Sequence, residues 1–329
     1  MSAPGPRRPL EHRPLGASGL SVSALSLGSW RTFERLPQER ALAVIARARA
    51  SGIDFLDDAR YDDETGRAPI PSGYSEVLFG ELFRAAGWPR AQAIVSNKLW
   101  WEFWPSQSAL AEVDGSLERM GFERLDLIYA STLPAGLEPE RAVAEVASVI
   151  EAGRAAHWGV VTWQGGELLA AVAEAQRIGL EPPCAVQLPY SLVRRAWATQ
   201  PQIVEALERS GAALVASASL AGGILSGKYA RAGAGGRMSE RLGEAAQQPA
   251  LRAAAELAGL AERHATTSAA LALAFALTRP HVATVLFGAT TPDQIDANIE
   301  ALELASRLHE AELEQLAAIG VGAELPTVD

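Results

Sequence analysis

The sequence predicts a single-domain (β/α)8 TIM barrel over residues 1–329, with an N-terminal β-hairpin and an extra C-terminal helix. Two observations carry this. Eight short apolar runs each stop at a polar or glycine residue: ALSLG before Ser29, IDFL before Asp57, AIVSN before Lys98, LDLIYA before Ser131, WGVV before Thr162, CAV before Gln187, ALVA before Ser217 and TVLF before Gly288. Helical stretches separate the runs, and strand–helix–strand repeated to the end implies parallel pairing with right-handed crossovers. The runs are apolar on both faces, as strands covered on both sides must be. A doubly wound open sheet shares that local signal. Eight units, with no glycine fingerprint after the first strand, favour the closed barrel. Closure gathers the strand ends on one face, where such barrels do chemistry.

The elements follow in order. The start, MSAPGPRRPLEHRP, has no apolar core of signal-peptide type, and residues 1–10 read as a flexible leader. Residues 11–22 read as a hairpin with GASG at its turn, placed to plug the barrel's N-terminal end. The first helix, 37–50, opens at Pro37 and is followed by Gly52; Leu42, Ile45 and Arg49 share its face. Leu110, Val113, Leu117 and Met120 define a helix over about 106–120. The next, 139–151, starts at Pro139, buries Val143, Val146 and Ile150, and stops before Gly153. Helices near 166–177, 199–209, 250–263, 268–278 and 292–303 continue the alternation, and one near 309–318 lies outside the eightfold count. Two long connections, 62–74 and 228–249, fall on the strand-end face; the second contains GAGGR and reads as a flap.

The net charge of −10 argues against a nucleic-acid partner. The single cysteine, Cys184, rules out an intrachain disulfide and disfavours a cysteine-based metal site; no metal is expected. Its place at the head of an apolar run reads as a small buried residue. The longest apolar stretch, near 268–277, is too short to span a bilayer, so the expectation is a cytoplasmic protein with no membrane partner.

Asp57, Tyr61 and Lys98 form the sharpest chemical constellation. A phenol titrates near 10, and a neighbouring ammonium favours the phenolate. A carboxylate beside the lysine holds the ammonium in place, so the trio can donate a proton to a carbonyl oxygen that is gaining charge. An Asp–Lys pair that merely closes the barrel mouth, with Tyr61 packing a loop, fits the spacing equally well.

Nine ordered segments carry a resemblance that bears on this choice: RPLGASGLSVSALSLGSW (13–30), GIDFLDDARY (52–61), GYSEVLFGELF (73–83), IVSNK (94–98), SLERMGFERLDLIY (116–129), GRAAHWGV (153–160), VQLPYSLVRR (186–195), GGILSGKY (222–229) and GATTPDQIDAN (288–298). With these the chain resembles the aldo-keto reductases over about 12–305. The resemblance implies the (β/α)8 barrel, NADPH bound extended without a Rossmann domain, and hydride transfer to an aldehyde or ketone with tyrosine as proton donor. Asp57 and Lys98 match the family's catalytic aspartate and lysine. Tyr61 matches its tyrosine with one residue fewer after Ala59, and Tyr74 is the weaker candidate.

The resemblance also marks departures. Ser131 stands where the family places a histidine that orients the carbonyl, and the five histidines lie elsewhere. Losing one oxyanion donor typically costs about 10²–10³ in rate. Val161 and Thr162 replace the Ser-Asn pair that holds the nicotinamide amide, while Gln187, the third contact, is intact. Ser217 replaces the aromatic residue that stacks on the ring. Ser29, Trp30, Leu220 and Gly222 complete the cofactor set on the strand-end face. Gly288, Thr290, Gln294 and Asn298 match the cofactor-tail segment, where amides at a helix start suit a phosphate. Lys228 and Arg237 are expected on the 2′-phosphate rather than as solvated surface charge.

Trp100, Trp101 and Trp104 follow Lys98 closely. They are expected to wall a pocket for a hydrophobic or aromatic carbonyl; packing beneath the 62–74 insertion is the plainer use. The implied function is NADPH-dependent reduction of such an aldehyde or ketone, or of a biosynthetic intermediate. An isomerase or lyase with the same trio, and a regulatory NADPH-binding protein, are the alternatives. The expected partners are a small carbonyl compound and, since family members range from monomers to rings, further copies of the chain.

Overall fold

The computed structural model describes residues 10–230 and 235–325. Most of the leader 1–10, and the start of GAGGR, lie outside the described residues; Leu10 is inside them and buried.

A two-stranded hairpin comes first, β1 (His12–Pro14) and β2 (Ser21–Ser23), paired antiparallel. Eight strands follow: β3 (Leu25–Gly28), β4 (Phe55–Asp57), β5 (Ile94–Leu99), β6 (Leu125–Ala130), β7 (Ala155–Val161), β8 (Ala185–Pro189), β9 (Ala213–Ser217) and β10 (Val282–Phe287). All pair parallel with their chain neighbours, and β10 closes on β3. The helices are α1 (Gln38–Ala50), α2 (Tyr74–Ala85), α3 (Ala109–Met120), α4 (Pro139–Glu151), α5 (Gly165–Ile178), α6 (Pro201–Ser210), α7 (Gln248–Arg263), α8 (Ser268–Leu277), α9 (Pro292–Arg307) and α10 (Glu310–Ile319). The chain is a (β/α)8 TIM barrel, with α7 and α8 both between β9 and β10.

Two apolar layers hold it. Phe55, Leu127, Tyr129, Val161 and Val215 pack inside the barrel with Leu15 and Val22 of the hairpin, as the plug reading expects. The hairpin turn seats tightly. A Cβ at Gly16 would lie 2.3 Å from the Cys184 carbonyl oxygen, and the residue's φ is +58°. Cys184 is buried in this layer, and burial pushes its thiol up to about 12. The larger layer lies between strands and helices.

Two differences from the sequence reading have local causes. The sequence pattern marks no helix over 74–85, yet Leu78, Phe79, Leu82 and Phe83 form the buried stripe of α2. The loop before it hid its start. And α3 begins at 109, not 106, because the Ser108 hydroxyl caps it by accepting from the Ala111 amide.

Candidate active site

Asp57 ends β4 and Lys98 lies near the end of β5, so the barrel's own register brings both to the strand-end mouth. The Lys98 ammonium donates to Asp57 Oδ2 at 2.6 Å and to the Tyr61 hydroxyl at 3.2 Å. Lys98 and Asp57 are only 4% and 3% exposed. The carboxylate is further held by the Ser96 hydroxyl at 2.7 Å and, more loosely, by the Gln187 amide at 3.4 Å.

Tyr61 reaches Lys98 despite the shortened link because the 62–74 insertion is itself a small ladder. Gly73 N–H donates to Tyr61 O, Asp62 pairs with Ser72, and Asp63 N–H donates to Pro71 O. The Ser75 hydroxyl pins its base, donating to Ala59 O at 2.7 Å and accepting from Tyr61 N–H at 3.1 Å. Glu64 ties its outer part to Arg31 and Arg35. Tyr74 instead opens α2.

The electrostatics divide. Burial pushes the Tyr61 phenol above its ordinary value of 10; Lys98 pulls it down, but Asp57 and Asp58 add to the rise. The cation therefore acts in the expected direction and is outweighed. Burial would lower Lys98, and the Asp57 carboxylate, with Tyr61, more than reverses this, so its charge is held. Asp58, unmarked by the sequence reading, is fully buried. Burial and then Glu76 raise its carboxyl well above the usual range, while the Ser29 hydroxyl donates to it. Glu76 of α2 is near enough to act on it, a neighbourhood visible only once the strand end is known.

The expected substrate-orienting slot is unusual. Ser131 N–H donates to Leu99 O, and its carbonyl oxygen accepts two indole N–H groups, from Trp163 at 2.7 Å and Trp101 at 3.2 Å. Its hydroxyl makes no hydrogen bond among the described residues. Thr162, at φ +59°, donates its hydroxyl to Val161 O at 2.7 Å and accepts from Thr132 at 2.6 Å. Of the three predicted pocket tryptophans, Trp100 stands against Tyr61 with ring centroids 6.0 Å apart. Trp101 is buried on Ser131, and Trp104 packs partly buried against the core. Trp30 flanks Tyr61 from another side at 6.3 Å.

The outlying residues have their own settings. Arg237 lies 4.7 Å over the Trp30 ring and donates to its carbonyl; burial, then Arg31 and Arg35, lower its pKa. The Lys228 ammonium sits where a Cβ on Gly223 or Gly236 would come within 2.9 or 2.5 Å of it, so both glycines make its berth. Leu220 and Gly222, the latter at φ +66°, begin a short turn after Ser217 closes β9. Gly288 follows β10, Thr290 N–H donates to the Gln294 side chain at 2.7 Å, and Asn298 is buried in α9. Gly288 to Asn298 thus run into α9, and backbone amides at its start suit an anion. No cluster of three or more metal-ligating side chains occurs among the described residues, and none of their helices is long and apolar enough to cross a membrane.

The chain is a closed β/α barrel whose mouth carries a buried aspartate–lysine pair and a tyrosine. The chain belongs to the aldo/keto reductase family, whose model matches residues 24–320. It is 29% identical over 325 residues to a probable voltage-gated potassium channel subunit beta of Oryza sativa subsp. japonica, covering 94% of this chain and 96% of that relative. Membership supports an oxidoreductase of the NADPH-dependent, carbonyl-reducing kind.

Proposed function

We propose that this protein reduces a hydrophobic or aromatic aldehyde or ketone with NADPH. The contact of Lys98 with both Asp57 and the Tyr61 hydroxyl, inside a member of this family, is the observation that supports it most. NADPH supplies the hydride. Tyr61 gives its phenolic proton to the carbonyl oxygen as the carbon is reduced, and recovers one from solvent. Lys98 stabilises the transient phenolate, and Asp57 fixes Lys98. Ser131 occupies the orienting slot. Gln187 and Thr162 are assigned to the nicotinamide amide, with Ser29, Trp30, Ser217, Leu220 and Gly222 along the cofactor. Gly288, Thr290, Gln294 and Asn298 are assigned to its tail, and Lys228 and Arg237 to the 2′-phosphate. Trp100 and Trp30 frame the phenol and suit a flat substrate; Trp101 and Trp104 support that wall from behind. A cytoplasmic setting belongs to the same reading.

A second reading rests on the relative's name and on Ser131: an NADPH-binding regulatory protein with slow turnover. Fluorescence titration with NADPH, followed by loss of the reduced-nicotinamide absorbance across an aldehyde panel, separates the two. Tight binding with turnover that Tyr61→Phe abolishes supports the reductase. Tight binding with no turnover on any aldehyde supports the regulator, and no binding rejects both.

A further inference from the structure

The residue in the family's histidine slot has a short hydroxyl, yet its carbonyl receives unusual attention. Both lone-pair directions of Ser131 O are taken by indoles, Trp163 at 2.7 Å and Trp101 at 3.2 Å. Trp163 is 0% exposed and Trp101 3%, so both bonds form in a dry layer. Trp101 adopts φ +62°, a strained conformation for a bulky residue, as it makes its bond.

The same peptide group carries the Thr132 N–H. A planar trans peptide sets that N–H opposite its C=O, so it points away from the two buried tryptophans. It has no acceptor among the described residues, and Thr132 is exposed. Two donors on the carbonyl polarise the peptide and make its N–H a stronger donor. The peptide lies just past the end of β6, at the strand-end mouth. Lys98 lies opposite Tyr129 in the ladder, Leu99 opposite Ala130, and Ser131 N–H closes onto Leu99 O, so Thr132 emerges beside the strand that carries Lys98. The Thr132 side chain is meanwhile fixed by its bond to Thr162.

We propose that the Thr132 backbone N–H, polarised by Trp101 and Trp163, is the second hydrogen-bond donor to the substrate carbonyl oxygen, supplying from the main chain what a histidine would supply from a side chain. Thr132 is then a catalytic residue through its peptide, and the two tryptophans are positioning residues. The inference rests on the reductase reading.

The direct test replaces Thr132 with its α-hydroxy analogue by nonsense suppression, which turns the amide into an ester, deletes the N–H and weakens the Ser131 carbonyl as an acceptor, an effect the tryptophan variants below measure separately. Losing one oxyanion donor predicts a kcat fall of about 100-fold with unchanged NADPH affinity. Trp163→Phe and Trp101→Phe should each lower kcat by a smaller factor and leave the KM for NADPH unmoved, a split that general destabilisation would not produce. A second readout needs no turnover. In 15N-threonine-labelled protein with NADP, benzaldehyde should move the Thr132 amide proton downfield. An ester variant with full kcat, or a Thr132 resonance indifferent to benzaldehyde, overturns the proposal. If Tyr61→Phe is fully active while the ester variant is not, the reductase reading of Tyr61 fails instead.

Discussion

Removing the Lys98 ammonium tests how much of the mouth depends on one buried ion pair. In Lys98→Met, Asp57 keeps the Ser96 hydroxyl and the distant Gln187 amide but loses its partner at 2.6 Å, in a setting 3–4% exposed. Breaking a buried pair from one side costs about 3–5 kcal/mol, because a charge is left uncompensated. For 329 residues the unfolding entropy near the midpoint is about 0.7 kcal/mol/K, so Tm should fall by about 4–7 °C. Asp57→Asn should cost a similar amount by stranding Lys98. The double variant carries neither charge and should recover about 2–3 kcal/mol of the summed loss. Urea denaturation of the four proteins, with thermal scans alongside, measures the cycle. Strict additivity, or single variants within about 1 °C of wild type, would refute the claim that the two charges hold each other.

Other consequences follow from the same geometry. The proposed reduction needs protonated Tyr61, and burial raises its folded pKa above 10, so the reduction rate should stay flat from neutral pH and decline only above about pH 10; a decline centred near pH 8 would show a different acid. Ser131→His should raise kcat on small aldehydes by about tenfold, since an imidazole adds an oxyanion donor; unchanged rates would show that this position does not limit turnover. Gly159→Ala would place a methyl 2.4 Å from the Ala185 carbonyl and 3.0 Å from the Tyr129 ring. Overpacking of that kind costs about 1–3 kcal/mol, read as a lower urea midpoint, and an unchanged midpoint would mean the barrel interior yields more easily than its packing implies.

The barrel was legible because its strands are covered on both faces and therefore read as apolar runs, each punctuated at the mouth. The N-terminal plug was legible from a turn signal and a length. Tyr61 was the hardest of the proposed catalytic set to place from sequence, because a linear count leaves it one residue short. The compensation is a ladder between 61–63 and 71–73, with Ser75 across its base, and both depend on tertiary contact. The aromatic run after Lys98 did not show in sequence which ring goes where. A backbone turn at Trp101 sends that side chain inward to Ser131, while Trp100 stays beside Tyr61. Asp58 and Trp163 lie just past strand ends, where one step along the chain changes the face a side chain meets. The acidity of Tyr61 was also beyond the sequence, since it is set by burial and two carboxylates as well as by Lys98.

Transfer of deuterium from NADPH dideuterated at the nicotinamide C4, read by mass spectrometry of the alcohol formed from an aromatic aldehyde, reaches the core of this account. One deuteron should appear on the former carbonyl carbon with the wild-type protein, and none above background with Tyr61→Phe. Unlabelled alcohol, or equal labelling by the two proteins, would contradict it.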